Sequence, residues 1–444
     1  MALASIVKRE RVEVYLVGGA IRDLALGSGR QDYDFVLHGR DIPFVHKLTR
    51  ELRGHLFPMG RDEKGRVYRI LAGNDILDFN AMDGSTIEED LERRDFTINA
   101  MAYSLHEGRF HLYPGSDEDL HNKLIRMVSA DGFDRDPLRM IRGVRYLGLL
   151  EGFRLDQKTK GVIRRKAPLI RNISVERIRT EMDRIFLSPR PPLAMEELVA
   201  LGLLWEMFPE LRSPEDRKRT ALRRKDAFSH YLRFLECLSR WNGWEGGLPV
   251  SAEQRLILSY VGLFTGMGKI LATAGKDPVS QAFRSRLTDE IMTRMKFSNR
   301  FRQLLKKLMD HHANLVELSR STVDPKTLKH FVHRVGPPVR LLIAFSLLEE
   351  RARQTDGSSP PGQNLAELCH RIKELYTGED IISPPPLVTG RDVMRLGYEP
   401  GPVVGHILQY IREKQIRGEL GDRQQALAFL RETFGKEVDP QDSR

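Results

Sequence analysis

Two aspartates separated by a single residue carry the clearest chemical signal in the chain. Asp32 and Asp34 stand at the start of the segment DYDFVLHG, whose composition is typical of a β-strand. Alternate residues of a strand project to the same face, so the two carboxylates point together. Two negative charges that close repel each other unless a cation lies between them, and Mg²⁺ prefers few carboxylates, several waters and substrate phosphates. The pair therefore predicts a magnesium site with Asp32 and Asp34 as its protein ligands.

A third carboxylate, Asp78 in the segment ILDF, completes a candidate catalytic set. In a two-metal scheme, one ion activates an attacking hydroxyl and the other stabilises a triphosphate leaving group. The alternative for an isolated D-x-D pattern is a solvated strand edge or a turn. The neighbouring motifs favour the catalytic interpretation.

A Gly-Gly turn lies shortly before the aspartates. Gly18 and Gly19 end a strand-like segment and open a predicted helix, where a backbone without side chains can approach triphosphate oxygens. Such turns are common in proteins that bind no phosphate. The GGxxRD pattern, which includes Arg22 and Asp23, indicates phosphate binding only when it is considered together with the carboxylate pair.

A charged cluster precedes the apolar segment FTINAMA. Arg93, Arg94 and Asp95 form this cluster, and the planar fork of arginine suits bidentate binding of phosphate. Asn99 lies inside the apolar segment, and a buried amide needs hydrogen-bond partners. Ribose hydroxyls and a backbone carbonyl are both possible partners.

Four charged residues follow at a spacing of three in DRDPLRMIRGVRYLGLLEGF, and on a helix they would line one face. They are Asp136, Arg139, Arg142 and Arg145. An aspartate and an arginine one turn apart offer an acceptor and donors to a base edge, which choosing a nucleotide without a template requires. The alternative, a solvated charged face, does not explain why arginines alternate with apolar residues.

Two parts of the chain differ in their pattern of apolar residues, and these patterns predict the elements that position the residues described above. Residues 12 to 126 contain short apolar runs bounded by Gly, Asn or Asp, which predict a mixed sheet with helices. Beyond about residue 131, apolar residues recur at helical spacing. The predicted fold class is α+β, with an α/β head followed by an all-α neck, body and tail. The predicted limits are 1–130, 131–212, 213–355 and 364–444.

Composition narrows the class of protein. At 444 residues the chain exceeds one ordinary core, and 71 basic against 61 acidic residues give a net charge of +10, which suggests a polyanionic partner. Cys237 and Cys369 lack metal-ligand spacing and fit a reducing compartment. No apolar run reaches the ~18 residues of a membrane span, and no secretion signal is apparent. We therefore expect a cytoplasmic protein without membrane contact.

Four motifs in fixed order, GGAIRD…DYD, RRDFTINA, DPLRxxRxxRY and ISVERIRTEM, closely resemble class II tRNA nucleotidyltransferases and bacterial poly(A) polymerases. The resemblance covers residues 12 to about 210 and implies a polymerase-β-like head, with helices that grip the tRNA acceptor end. It implies that Asp32 and Asp34 hold the metals. Nucleotide-binding residues would be Gly18, Gly19, Arg22, Asp23, Arg94, Asp95, Asn99, Asp136, Arg139, Arg142 and Arg145.

Within that resemblance, the residues have different implied roles. Arg94, Asp95 and Asn99 would hold the sugar and phosphates. Asp136 and Arg139 would present an edge to the incoming base. The phosphates would be approached by Arg142 and Arg145, while the base reader would be supported by Glu176, Arg177 and Glu181.

Three departures from the family pattern affect specificity and the helical body. Arg135 replaces a glutamate found in many relatives, so base preference is open. The segment from Asp78 to Asp90 is short, where many CCA-adding relatives have a longer flexible loop, and its shortness resembles enzymes that add only CC. The body resembles an HD-type phosphohydrolase domain in which Phe264 and Thr265 replace the His-Asp metal pair, so we expect a scaffold there.

Several functions remain as alternatives. The leading one is transfer of nucleotides from CTP and/or ATP to the 3′ end of tRNA with Mg²⁺, which the family-like tail favours. A poly(A) polymerase acting on general RNA shares the head motifs. A catalytically silent RNA-binding protein would have no reason to keep a repelling aspartate pair, and a phosphohydrolase would need the missing His-Asp pair. The sequence does not indicate whether the protein is a monomer or an oligomer.

Overall fold

The computed structural model describes residues 2–29, 32–38, 42–59, 67–209, 221–241, 250–272, 281–354, 363–376, 386–416 and 419–435. The chain divides into two compact units. The first comprises Met1–Glu215 with Arg294–Lys296, and the second comprises Asp216–Thr293 with Phe297–Arg444. The predicted limits at 212, 213 and 355 fall at or inside gaps between the described residues, and the division into four parts stays a prediction.

The head contains a seven-stranded mixed sheet, which confirms the predicted α+β class. Its strands are β1 Val14–Val17, β2 Asp32–Leu37, β3 His55–Met59, β4 Val67–Ala72, β5 Asp75–Ala81, β6 Met101–Ser104 and β7 Phe110–Leu112. The order across the sheet is β3-β4-β5-β2-β1-β6-β7. Only β2 and β5 pair in parallel among these described strands.

Both faces of the sheet carry helices because its strands alternate between two apolar sets. The helices of the head are α1 Ala2–Glu10, α2 Gly19–Ala25, α3 Ile42–Glu51, α4 Ile87–Glu92 and α5 Ser116–His121. One face packs Phe35 and Phe79 against Val45 and Leu48 of α3. The other face, which includes Val36, packs against Leu91 of α4.

After the sheet, the first unit continues as helices with one small two-stranded pairing, β8 Leu124–Ile125 with β9 Arg154–Leu155. The helices are α6 Gly132–Arg135, α7 Leu138–Leu149, α8 Gln157–Lys166, α9 Val175–Phe186, α10 Pro191–Ala200 and α11 Leu203–Met207. α7 packs against both α9 and α10. Its non-arginine positions are nearly all buried, so α7 is a core helix.

Among the described residues of the second unit, the regular secondary structure consists of helices. The helices are α12 Ala221–Ser239, α13 Ala252–Ala272, α14 Gln281–Arg294, α15 Asn299–Leu318, α16 Pro325–Val335, α17 Val339–Gln354, α18 Gln363–Tyr376, α19 Gly390–Met394, α20 Pro402–Ile416 and α21 Arg423–Phe434. The histidines of the HD-like region bond to α17: His230 pairs with Glu349 at 3.1 Å, and His312 with Ser346 at 2.9 Å. Both side chains therefore make contacts within the helices, and the expectation that this region is a scaffold stays a prediction.

Among the described helices, none by itself has the length and apolar character needed to cross a membrane. Only the pair Pro325–Val335 and Val339–Arg353 meets that criterion when taken together, and the two helices are bent by 107° at their junction.

Candidate active site

The aspartate pair lies at the exposed end of β2. Asp32 and Asp34 are exposed, whereas the next three residues of the strand are buried. Tyr33 packs into the core on the opposite face, as the alternation of a strand predicts. The same strand therefore fixes the pair in the core and presents both carboxylates to solvent.

The sheet register brings further residues beside this pair. Asp34 of β2 is opposite Asp78 of β5. Asp78 is in turn opposite Arg69 of β4, and Arg69 is opposite Phe57 of β3. Directly opposed residues share one face of a sheet. We refer to Asp34, Asp78, Arg69 and Phe57 as the cross-strand row.

Arg69 modifies the predicted carboxylate set. Its Nε and Nη2 donate to the two oxygens of Asp78 at 2.8 and 2.7 Å, a bidentate ion pair. The pKa of Arg69 is raised, first by this hydrogen bond and then by the charges of Asp78, Asp32 and Asp34 against an opposing effect of burial. The catalytic role of Asp78 stays a prediction, because its carboxylate already has a cationic partner.

The Gly-Gly turn forms as the sequence predicts. β1 ends at Val17, which pairs with Asp34, and α2 begins at Gly19. Gly18 has φ 70°, a conformation that favours glycine, and a side chain there would lie 3.6 Å from Nη1 of Arg94. The turn therefore lies between the aspartates and an arginine.

A buried chain of polar contacts continues from this turn into the neck. Arg22, 1% exposed, donates to Asp23 at 2.8 Å and to the amide oxygen of Asn99. The Asn99 amide donates to Asp95 at 3.0 Å, and Arg142 of α7 lies 2.9 Å from the other Asp95 oxygen. We call Arg22, Asn99, Asp95 and Arg142 the arginine network. Its members bind one another, so their direct contact with a nucleotide stays a prediction.

Charge explains why a carboxylate tolerates this burial. Burial by itself would raise the pKa of Asp95, but the charge of Arg142, hydrogen bonds from Asn99 and the Phe96 amide, and the charge of Arg139 lower it overall. The pKa of Arg142 is raised, mainly by Asp95. Each group thus keeps the other ionised.

The arginines of α7 do not share one face, so that expectation is wrong. Residues three apart on an α-helix are offset by about 60° from a full turn, so Arg145 lies about 120° around from Arg139. Accordingly, Arg139 donates to the Arg94 carbonyl at 3.2 Å, while Arg145 lies 2.8 Å from Glu181 of α9. The predicted approach of Arg145 to phosphates stays a prediction.

The Nε of Arg139 is buried and has no hydrogen-bond partner in the described structure. The Nε of Arg145 also lacks a hydrogen bond, but it lies 2.8 Å from a carboxylate oxygen of Glu181. Burial lowers the pKa of Arg139, against the opposing charges of Asp95 and Asp136. Asp136 lies just before α7 and is half-buried, with both oxygens 3.1 Å from Nη2 of Arg177. An unsatisfied donor beside a carboxylate suits contact with a base edge.

The connection that follows β5 is short and internally bonded. Only residues 82 to 86 separate β5 from α4. Thr86 caps the helix by accepting from the Glu89 amide, and the Asp83 amide donates to the buried Asp90 at 2.9 Å. Arg93 also pairs with Asp83. These contacts hold the connection as a tight turn.

Sequence reasoning missed three residues that the structure places at the site. Arg69 pairs with Asp78, Asp90 pairs with Arg94, and the Tyr146 ring lies 5.1 Å from the Arg22 guanidinium. A charged residue within the strand-like VYRILAG was the one available signal for Arg69. The i,i+4 spacing of Asp90 and Arg94 and the tyrosine that ends DPLRxxRxxRY were the signals for the other two.

The exposed pair fits a divalent ion that substrate phosphates help to hold. Mg²⁺ usually keeps waters and takes one or two protein carboxylates, which matches Asp32 and Asp34. In the part of the chain that the structure describes, no group of three or more His, Cys, Asp or Glu side chains is placed to hold a metal.

Family models match most of these regions. The model described as "Poly A polymerase head domain" matches residues 14–82 and 77–126. "Probable RNA and SrmB- binding site of polymerase A" matches residues 152–213. "tRNA nucleotidyltransferase domain 2 putative" matches residues 287–430. The head and site thus define a nucleotidyltransferase of the poly(A) polymerase type.

Two curated relatives match nearly end to end. The A-adding tRNA nucleotidyltransferase of Deinococcus radiodurans is 32% identical, over 94% of this chain and 94% of the relative. The CC-adding tRNA nucleotidyltransferase of Thermus thermophilus is 31% identical, over 94% and 93%. The chain belongs to the CCA-adding tRNA nucleotidyltransferase family, a nucleotidyltransferase family that uses divalent metal ions.

Solved structures share the fold. A CCA-adding enzyme in complex with ATP superposes with a TM-score of 0.65 at 20% identity, covering 96% of this chain and 93% of that chain. The Thermotoga maritima CCA-adding enzyme complexed with tRNA gives a TM-score of 0.61 at 20% identity, with coverage of 96% and 93%.

Proposed function

We propose that this protein adds C or A residues to the 3′ end of tRNA, using CTP or ATP. One arrangement carries the proposal: two exposed carboxylates on β2 lie beside a glycine turn and a buried arginine network that reaches α7. Donors held in place before the substrate arrives stabilise developing charge without reorganisation. The named activities of the full-length relatives supply the substrate class.

Asp32 and Asp34 are proposed to hold Mg²⁺. When bound, Mg²⁺ would neutralise triphosphate charge and lower the pKa of the attacking 3′ hydroxyl. The buried half of β2 fixes the position of the two aspartates. Gly18, Gly19 and Arg94 are proposed to accommodate the triphosphate, because the turn leaves the backbone and Nη1 of Arg94 side by side.

Arg139 and Asp136 are proposed to read the base. The buried Nε of Arg139 offers a donor without a partner in the described structure, and Asp136 offers acceptors. Arg177 holds Asp136, and the Arg94 carbonyl holds Arg139. The remaining predicted nucleotide-binding residues are proposed to keep this geometry rigid. Arg22, Asp23, Asp95, Asn99 and Arg142 do so through their mutual contacts, and Arg145 does so through Glu181.

Among the family's activities, we propose addition of CC. The support is the five-residue connection 82–86, which is bonded as a tight turn where many complete enzymes have a longer flexible loop. The relatives do not separate the two partial activities, because the A-adding and CC-adding proteins are similarly identical to this chain.

Incorporation assays test the proposal directly. Labelled CTP and ATP, separately and together, are supplied to tRNA transcripts ending before CCA, after the first C and after CC, with an unrelated RNA as control. We expect C incorporation into the first two transcripts and none into the third. Efficient addition of A to the third would contradict CC addition, and long A tails on the control RNA would identify a poly(A) polymerase.

We also infer a cytosolic location, where tRNA, CTP and ATP occur together. Cys237 and Cys369 are both free thiols, and unpaired cysteines suit a reducing compartment. Fractionation of cells that express the tagged protein checks this inference.

A further inference from the structure

The two sides of the aspartate pair differ in what they offer a substrate. On the β1 side lie the Gly-Gly turn and Arg94. On the β5 side, the cross-strand row continues through Asp78 and Arg69 to Phe57. In-line nucleotidyl transfer requires the attacking hydroxyl and the leaving pyrophosphate on opposite sides of the reacting phosphorus. If the triphosphate lies on the β1 side, the attacking strand must arrive from the β5 side.

The outer end of the row is an exposed apolar surface. Phe57 is 47% exposed and Met59 is 38% exposed, and both lie on β3, one of the two edge strands of the described sheet. Their neighbour Leu56 packs into the core on the opposite face. Phe57 and Met59 lie on the same face of β3, so together they form an exposed apolar surface at the end of the row that begins at the aspartates.

We propose, on the basis of the proposed function, that Phe57 stacks against an unpaired nucleotide near the 3′ end of the tRNA. Three strand spacings separate Phe57 from Asp34, about 14 Å in all. A stacked strand covers that distance in about four nucleotides. The contact would therefore lie upstream of the reacting hydroxyl, toward the acceptor stem.

Arg69 makes this path compatible with RNA. A row containing only Asp34 and Asp78 would repel a phosphate backbone at the point where the strand has to cross. The Arg69 guanidinium neutralises Asp78 through two hydrogen bonds. Aromatic faces beside cationic side chains are the usual surface for unpaired nucleic acid, because every base has a face that can stack.

Pairing of β3 with a second copy of the chain is the competing explanation for an exposed edge. Pro58, in the middle of β3, has no N–H to donate and is typical of edges that do not pair further. The row is also continuous with the aspartates. Both observations favour RNA as the occupant.

The test compares Phe57→Ala with Phe110→Ala, a control on β7 at the opposite edge of the same sheet, where the exposed fraction is 61%. Affinity is measured without nucleotides for a tRNA ending after CC and for the same tRNA trimmed to its last base pair. We expect Phe57→Ala to weaken binding of the CC-ended tRNA about tenfold, or about 1.4 kcal/mol, and to leave the trimmed tRNA unaffected. Phe110→Ala should change neither.

A second pair of variants separates stacking from apolar bulk. Phe57→Trp keeps an aromatic face and should retain affinity for the CC-ended tRNA, whereas Phe57→Leu should behave as Phe57→Ala. Steady-state assays should show a raised KM for tRNA with an unchanged KM for CTP.

Three outcomes overturn the inference in distinguishable ways. Equal losses on both tRNAs, or equal effects of Phe57→Ala and Phe110→Ala, would refute stacking while leaving the proposed function intact. A change in sedimentation of Phe57→Ala with unchanged RNA affinity would identify a second copy as the occupant. A wild-type protein that transfers no nucleotide to any tRNA would remove the proposed function and this inference together.

Discussion

The arginine network and the cross-strand row lie on opposite sides of the same two aspartates and are built in opposite ways. In the network, Arg22, Asn99 and Asp95 are each no more than 6% exposed and hold one another by hydrogen bonds. In the row, Phe57 and Arg69 lie at the surface. A nucleotide always has the same triphosphate and ribose, so a rigid site can receive it. A growing RNA end changes after each addition, so its surface must tolerate several bases.

The largest predicted effect concerns Asp32 and Asp34, which lie between the arginine network and the cross-strand row. Asp32→Ala or Asp34→Ala should reduce nucleotide incorporation at least about a thousandfold, since about 4 kcal/mol of transition-state stabilisation corresponds to that factor. Affinity for tRNA should change little. Asp75→Ala, at an exposed carboxylate on β5, is the matched control. Incorporation at the wild-type rate in either variant would refute the metal assignment.

The next prediction tests whether the ion pair between Asp95 and Arg142 stabilises the arginine network. Arg142→Met leaves the Asp95 carboxylate buried without its main counter-charge, and should lower the free energy of unfolding by about 3 kcal/mol. Urea denaturation measures the loss. Adding Asp95→Asn to the same variant removes the uncompensated charge and should recover part of it. Losses that simply add in the double variant would show that the two groups are not coupled.

A smaller effect concerns the choice of nucleotide. Arg139→Ala removes the unpaired buried donor and should reduce discrimination between CTP and ATP about tenfold, within the range for one bidentate base contact. The ratio of kcat/KM for the two nucleotides measures it. Arg165→Ala, at an exposed arginine of α8, should leave that ratio unchanged. If Arg139→Ala also leaves it unchanged, the base is read elsewhere.

The smallest effect is a dependence of stability on pH. The pKa of Asp95 in the folded protein is lowered, despite burial, by Arg142, Asn99, the Phe96 amide and Arg139. The ionised group therefore stabilises the fold above its unfolded pKa of about 3.9, and this contribution disappears as pH falls through the folded value. The melting temperature of wild type should exceed that of Asp95→Asn at pH 7, and the difference should shrink below about pH 4. A constant difference would contradict the assigned shift.

Features with a local signature were predictable from the sequence. The alternation in DYDFVLHG and ILDF predicted β2 and β5, and both form with Asp34 opposite Asp78. β3 was not predicted, because Pro58 and its exposed neighbours give no alternating apolar pattern. The missed strand carries Phe57, so this member of the cross-strand row had no sequence signal.

Features that depend on tertiary pairing were not predictable. The spacing of Arg139, Arg142 and Arg145 is correct for a helix, but only the packing of α7 against α9 directs Arg145 to Glu181. Likewise, the partner of Asp78 depends on the register between β4 and β5, which brings Arg69 opposite it. Spacing along a chain identifies candidate residues, and register across a fold determines their partners.

The three arginines of α7 point in different directions around the helix, and this affects how the nucleotide specificity of the enzyme could be redesigned. Arg142 forms an ion pair with Asp95, and Arg145 forms one with Glu181. The buried Nε of Arg139 has no hydrogen-bond partner in the described structure. Attempts to retarget this enzyme toward modified nucleotides can therefore vary Arg139 first, because its effect on the pKa of Asp95 is smaller than that of Arg142. Libraries that also randomise Arg142 or Arg145 would spend most of their members on proteins with a weakened core.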